Sequence, residues 1–357
     1  MNDTLPILPP PRTIVLETPE VLRQLVRSHR ALAELKGIAT VIPDASILIS
    51  TLVIQEARDS STIENIITSQ DEVFTAMLDE ERSTNLAAKE VHRYARAVTA
   101  GYTILQKQRL LRTRDLIAIH GTLCDSTTGF RRVPGTVLKN AATGDIVYRP
   151  PQDAKEIQRL MSNFLEAYHD SACWGVDPLV QMAVLHYQFE SIHPFYDGNG
   201  RTGRILNLLH LVLNGLLDTP ILYLSRAIER EKEKYYSLLQ SVRTDGTWEE
   251  WIIFMLRAIE VTAVETLQKV IAIRELMQAC KHRIRSEQPK IYSQELLNNI
   301  FRHPYTKIDF VMRDCSISRP TAAKYLSTLE TMGILRKHKV HRLNIYVHTD
   351  LFALLSE

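Results

Sequence analysis

The sequence predicts a mainly α-helical protein with one short β-hairpin near its middle and a small α+β unit at its C-terminus. Three observations carry this reading. Apolar residues recur at three- and four-residue spacing through most of residues 1–285, the period of amphipathic helices. One internal stretch, "VPGTVLKNAATGDIVYRPPQ", instead sets β-branched residues on either side of a turn-rich "NAATGD". After Ser286 the pattern becomes helix, helix, a three-residue turn, helix and two apolar strands, the order of a winged helix.

Taken in order, the proline-rich "LPILPPPR" reads as an extended arm. Thr18-Pro19-Glu20 opens the first helix with a capping hydroxyl, a first-turn proline and an acid at the positive end of the dipole; it stops near Gly37. A second helix is expected in "SILISTLVIQEARDSS", and "TIENIITSQDEVFTAMLDE" continues in short helical pieces. Helices follow over Asn85–Gln106 and Thr113–Leu123, then the hairpin over Gly135–Tyr148, whose second arm is cut short by Pro150-Pro151. Further helices are expected over Asp153–Tyr168, Pro178–Ile192 and Gly200–Leu217, the last strongly apolar and so buried on most sides. They resume over Ala227–Ser241, Thr247–Phe254 and a long segment from Ala258 to Arg285. The tail reads as helices over Ser293–Phe301 and Lys307–Arg313, a helix opened by "SRPT" that runs to Thr331, and strands "GILRK" and "LNIYVH". Three regions are expected: an N-terminal arm and helical region (1–100), a core (101–285) and a winged-helix domain (286–357).

Composition narrows the class. Apolar residues at 45% and charged residues at 24% are ordinary for a globular protein, which sets disordered and fibrous classes aside. No run of roughly 18 apolar residues is present and the start lacks a basic-then-apolar leader, so a cytoplasmic protein with no membrane partner is expected. Four scattered cysteines without zinc spacing read as thiols. Net charge is +2, yet Lys281–Glu357 holds 13 basic against 7 acidic residues, so the remainder is net negative. Such asymmetry points to a polyanion partner for one domain.

The densest chemistry lies in "HPFYDGNGRTGR", His193–Arg204. Its glycines match a dinucleotide-binding fingerprint, but a helix stands where that fingerprint needs a strand. A calcium loop would need acids where His193 and Phe195 stand. A glycine-rich loop feeding a helix N-terminus is an anion site, since backbone N–H groups and the positive dipole end face the ligand. Gly198, Asn199 and Gly200 let the backbone approach phosphates; Arg201 and Arg204, three apart on the helix, can each fork onto phosphate oxygens. Asp197 beside them suits Mg²⁺ held by one carboxylate and phosphate oxygens. His193 is placed to take a proton.

The stretch matches every fixed position of the Fic family signature, His-x-Phe-x-Asp/Glu-Gly-Asn-Gly-Arg-x-x-Arg, and the chain resembles that family. The resemblance implies a Fic-type helical core and transfer of AMP from ATP to a Ser, Thr or Tyr hydroxyl of a target protein and of the enzyme itself. It implies His193 as base, Asp197 as Mg²⁺ ligand, Gly198, Asn199, Gly200, Arg201, Thr202, Gly203 and Arg204 as the ATP-binding run, and Tyr236 at the adenine. The hairpin takes the place of the family's flap, which pins the target as an added strand.

Upstream, "SSTIEN" places Ser60 and Glu64 one helical turn apart, followed by Asn65. It resembles the family's inhibitory helix, Ser/Thr-x-x-x-Glu-Gly/Asn, in the class that carries its brake N-terminally. A carboxylate paired with Arg204 removes the γ-phosphate clamp and puts negative charge where that phosphate must lie. Two other readings stay open: a DNA-binding regulator that only senses ATP, and a Fic enzyme that acts mainly in reverse, removing AMP, or uses another nucleotide. In the tail, Arg319, Lys324, Arg336, Lys337, Lys339 and Arg342 make a basic helix and wing. Winged helices also dock proteins and form dimers, so a homodimer is one expectation and DNA contact a less favoured one.

Overall fold

The computed structural model describes residues 5–42, 44–78, 85–139, 143–170, 174–340 and 343–356. Fifteen helices dominate the described residues, and no helix among them is long and apolar enough to cross a membrane. Cys124, Cys280 and Cys315 are free thiols, while Cys173 lies outside the described residues.

The proline-rich arm lies on the body as an extended strap. Asn163 brackets Leu8, accepting from its N–H at 2.7 Å and donating to its carbonyl at 2.8 Å, and Gln188 Nε2 donates to the Pro6 carbonyl at 2.7 Å. Helix α1 (Pro19–Ala39) starts where the capping pattern predicts, with the Thr18 hydroxyl accepting from the Val21 N–H at 3.3 Å. It lies antiparallel to the long α11 (Trp248–Glu287): Gln24 donates to Glu260 at 2.6 Å, and one turn on Ser28 donates to the Leu256 carbonyl at 2.8 Å. The spacing predicts a break between Phe254 and Ala258, but α11 runs through it unbroken. Residues 255–257 hold nothing that stops a helix, and Met255 and Leu256 bury in the core. The same helix crosses the expected boundary near Ser286 and ends at Glu287.

Helices α2 (Ala45–Ile63), α3 (Gln70–Leu78), α4 (Leu86–Gln108) and α5 (Thr113–Cys124) follow, then the hairpin strands β1 (Leu138–Lys139) and β2 (Ile146–Tyr148). The hairpin pairs Leu138 with Tyr148 and Lys139 with Ile146, and residues 140–142 at its tip lie outside the described residues. After α6 (Ala154–His169) come the two central helices, α7 (Pro178–Ile192) and α8 (Asn199–Leu213). Every residue from Leu179 to Ile192 is buried, and most of its polar members find partners, as burial without them would cost about 1–3 kcal/mol each, whereas Gln181 Oε1 and Glu190 Oε1 have none among the described residues. Gln181 donates to the Ala167 carbonyl at 2.9 Å, and His186 pairs with the Tyr235 hydroxyl at 2.8 Å and with Asn207 at 3.1 Å. α8 is shorter than the expected Gly200–Leu217, because Gly215 turns left-handed (φ 67°) just after its end. The expected single helix over Ala227–Ser241 is two, α9 (Ser225–Arg230) and α10 (Lys232–Asp245), parted at Glu231.

The tail comprises α12 (Gln294–Arg302), β3 (Tyr305–Thr306), α13 (Ile308–Cys315), α14 (Arg319–Thr331), β4 (Leu335–Val340), β5 (Leu343–His348) and α15 (Thr349–Ser356). Its antiparallel sheet has the order β3-β5-β4, with Tyr305 and Arg336 both opposite Val347. Strand β3 and helix α15 are absent from the sequence reading; two residues are too few to show alternation. This unit grips α2 and α3. Arg302 donates to the Asp44 carboxylate and to the Ser46 hydroxyl at 2.7 Å, and Asp44 is itself the cap of α2. Gln55 donates to the Leu355 carbonyl, Tyr305 donates to Asp71, and the Phe74 and Tyr305 rings stack at 5.4 Å.

Candidate active site

The loop between α7 and α8 is held in one shape by contacts from distant segments. α7 ends at His193, whose backbone is left-handed (φ 50°), a conformation that costs a non-glycine residue about 1–2 kcal/mol. Arg131 holds it there. This buried guanidinium donates to the carbonyls of His193 at 2.8 Å, Ile192 at 3.3 Å and Pro151, so it caps the negative end of α7 and ties the loop to the base of the hairpin. Phe195 is fully buried, with His120 stacked on it at 3.6 Å, and His120 Nε2 donates to the Asp197 carbonyl at 2.9 Å. The Asn199 amide closes the turn, accepting from the Phe195 N–H at 2.8 Å and donating to its carbonyl at 2.9 Å.

Gly198 caps α8 with φ 70°, and a Cβ there would run into Cys124 Sγ. Thr202 is buried and its hydroxyl donates to the Gly198 carbonyl at 2.7 Å; a Cβ on Gly203 would meet Glu190 Oε1 at 2.9 Å. The side-chain atoms of Asn199 and Thr202 are thus spent on the loop itself. What they leave for an anion is the ring of first-turn N–H groups that no helix satisfies internally.

Burial first, then the neighbouring Arg131 charge, pushes the His193 imidazole down to about 4, against the Glu190 carbonyl beside it. It is therefore neutral at pH 7 and able to accept a proton. The Asp197 side chain is 82% exposed on the open side of the loop, with Arg201 Nη2 3.5 Å from it. Arg201 is itself buried and donates from Nη1 to Glu90 Oε2 on α4 at 2.7 Å.

Arg204, 1% exposed, is held by the end of α2 through two of its nitrogens: Nε donates to the Ser60 hydroxyl at 2.8 Å, and Nη2 to the Ser60 carbonyl at 2.9 Å and to Glu64 Oε1 at 2.8 Å. The helix end that carries Glu64 is a Schellman cap. Asn65 is left-handed (φ 62°), its N–H donates to the Thr62 carbonyl at 2.9 Å, and the Ile66 N–H donates to Ser61 at 3.0 Å. Asparagine tolerates that conformation, and Lys232 Nζ pins its side chain at 3.0 Å. Glu64 Oε1 thereby rests against Gly200, inside the anion cradle.

Tyr235 is buried on His186, whereas Tyr236 is 44% exposed on α10, with Glu64 and Arg204 among the charges that act on it. The hairpin is anchored to the same place. The Tyr148 hydroxyl donates to the Ser191 carbonyl at 3.0 Å, Arg243 lies 4.0 Å from the Tyr148 ring centre, and Tyr196 accepts from the Arg132 and Val133 N–H groups at 2.9 and 3.1 Å. The structure thus brings His193, Asp197, Gly200, Arg201, Arg204, Ser60, Glu64 and Tyr236 to one face. Arg131, His120, Glu90, Tyr196 and Arg243 complete it and were not found by sequence reasoning. Arg131, His120, Glu90 and Arg243 lie far from the motif along the chain, where a lone arginine or glutamate carries no local signal, and Tyr196 lies inside the motif at one of its variable positions.

Comparison with known proteins bears on the family and the fold. Residues 22–103 match the Fic/DOC family N-terminal model, 110–211 the Fic/DOC family model and 276–351 the C-terminal domain of protein adenylyltransferase SoFic-like proteins. A probable protein adenylyltransferase of Aquifex aeolicus is 45% identical over 65 residues, covering 18% of each chain. The protein adenylyltransferase Fic of Culex quinquefasciatus is 29% identical over 165 residues, covering 45% of this chain and 30% of that one. The chain thus spans well under half the length of these curated relatives. Among solved structures, a Fic family protein from Desulfovibrio desulfuricans superposes with a TM-score of 0.56 at 20% identity over 94% of this chain and 97% of the other. A Caenorhabditis elegans Fic-1 segment gives 0.53 at 18% over 72% and 75%. With three successive family models covering most of residues 22–351, the chain belongs to the Fic/DOC family.

Proposed function

We propose that this protein is a protein adenylyltransferase that moves AMP from ATP to a hydroxyl of a target protein and of itself, and that Glu64 restrains it. The observation that carries the reading is His193, a neutral imidazole at the mouth of an anion cradle flanked by Arg201 and Arg204. The target oxygen attacks the α-phosphorus, the bond from that phosphorus to the bridging oxygen breaks, pyrophosphate leaves, and the hydroxyl proton passes to His193. First-turn N–H groups of α8 and the two guanidinium groups face the charge that grows on the leaving oxygens. Asp197 would hold Mg²⁺, which neutralises phosphate charge when bound; its exposed, nearly unpaired carboxylate fits that task. Tyr236 offers its exposed ring to the adenine. The hairpin, with Ile146 and Val147 exposed, offers an edge to an extended target segment.

Glu64 acts as the brake because its carboxylate rests in the cradle and satisfies Arg204, so a γ-phosphate meets a negative charge and an occupied clamp. The C-terminal unit, with its helix–strand–helix–helix–strand–strand order, we assign as a winged helix that docks protein. A site that only sensed ATP would need the arginines but no base at His193. Mass spectrometry after incubation with ATP and Mg²⁺ tests the reading. We expect a gain of one AMP unit, abolished in His193→Ala while ATP binding persists; equal labelling of His193→Ala rejects it.

A further inference from the structure

Both arginines of the cradle are held by carboxylates, but the two pairings differ in kind. Glu64 reaches Arg204 from inside the cradle: its Oε1 rests against Gly200, and Arg204 Nη1 lies 3.0 Å from where a Cβ on that glycine would stand. Glu90 reaches Arg201 from α4, and none of the atoms nearest Gly198, Gly200 or Gly203 belongs to it. Its carboxylate is 34% exposed, whereas the Arg201 side chain is 4% exposed and its Nε has no partner. A buried guanidinium needs a counter-charge. Glu90 supplies one without filling the space a phosphate would take.

We propose that Glu90 is a positioning residue for Arg201: it holds the guanidinium by Nη1 so that Nη2 and the Asp197 carboxylate face the same phosphate group of a bound nucleoside triphosphate. The proposal rests on the reading of this face as an ATP site. Its physical content is a competition. Asp197 Oδ2 already lies 3.5 Å from Nη2 and is the next carboxylate within reach. Without Glu90, Arg201 turns onto Asp197 and ties up the carboxylate that would hold the metal. Glu64 keeps the γ-phosphate from its reactive pose, whereas Glu90 readies the site for the triphosphate, and the two substitutions have opposite signs.

The test uses the full-length chain with Glu64→Gly and measures binding of MgATP, and of ATP with EDTA, by isothermal titration calorimetry. Thermal melts and AMP incorporation are followed in parallel. Adding Glu90→Ala is expected to weaken MgATP binding about tenfold or more, the range for losing a charge-assisted contact. ATP without the metal should weaken less, kcat should hold while KM rises, and the melting temperature should move little. Glu90→Gln, whose amide oxygen accepts the same N–H, should recover binding to within about threefold; this variant also carries the test if Glu90→Ala folds poorly. MgATP affinity unchanged within about twofold by both variants overturns the proposal, as does higher AMP incorporation by Glu90→Ala with Glu64 intact, which would make Glu90 a second brake. A Glu64→Gly parent that binds MgATP but transfers no AMP defeats the proposed function and leaves the Glu90 result standing. A parent that binds no MgATP overturns both.

Discussion

Replacing Glu64 by glycine should release the site, and the size of the effect follows from what the residue touches. Its Oε1 accepts one charge-assisted bond, 2.8 Å from a guanidinium that is 1% exposed, while the carboxylate itself is 33% exposed. A hydrogen bond to a charged group is worth about 1.5–3 kcal/mol, and the exposure of Glu64 sets this one at the lower end. At 1.4 kcal/mol per factor of ten, removing it shifts the balance toward a nucleotide-accepting site by about 10- to 30-fold. Taking carboxylate charge out of the cradle adds to that. The assay is incorporation of labelled AMP into the purified protein, with Glu64→Gln as a companion. Glutamine keeps the bulk and the acceptor oxygen but removes the charge, so it should fall between the native protein and Glu64→Gly. Incorporation that Glu64→Gly leaves unchanged, in a protein that labels at all, would refute the argument. Because Asn65 and not Glu64 takes the left-handed cap position, helix α2 should keep its end in both variants.

Two further outcomes concern groups around the loop. Burial, opposed by Arg204 and reinforced by Glu64, pushes the Glu190 carboxyl up to about 7 from an ordinary value of 4.5. The folded protein therefore binds this proton more tightly than the unfolded chain. Its contribution to stability is fully present below pH 4.5 and is lost as pH rises to about 7. Glu190→Gln, neutral throughout, should match the native melting temperature at pH 4.5 and exceed it at pH 8; an equal difference at both pH values would count against burial as the cause. Arg131→Lys keeps the charge but cannot fork onto three carbonyls, so the strained His193 turn loosens. We expect kcat to fall about tenfold or more with ATP affinity little changed, read from single-turnover labelling alongside calorimetry. A fall confined to KM would show that Arg131 serves nucleotide binding instead.

The local features legible in the sequence are those fixed by neighbouring residues. The cap of α1, the helical period and the hairpin depend on groups within a turn or two of one another, and the structure has them where the spacing puts them; the residues of the loop His193–Arg204 are read from their spacing too, although distant Arg131 and His120 hold its shape. "SSTIEN" belongs here too: an asparagine in a Schellman cap is a short-range device, and it explains why that position follows the glutamate. One break and one continuation were not legible. Glu231 parts α9 from α10 with no proline or glycine to announce it, and α11 continues where the pattern suggested a stop, because buried packing at Met255 and Leu256 outweighs periodicity.

What only the tertiary structure decided is who meets whom. Arg204 and Ser60 are 144 residues apart, Arg201 and Glu90 111, and Arg131 and His193 62. No spacing rule links such pairs, since they come together only when α2, α4 and the segment before the hairpin pack against the α7–α8 loop. The sequence alone pointed to this loop as an anion site, because glycines, free first-turn N–H groups and arginines three apart at a helix start suit one. The pairing of Glu64 with Arg204 that the resemblance implies is present, and the fold alone decided that Arg201 would meet Glu90. Burying a guanidinium without a counter-charge costs more than bringing one from a distant part of the chain.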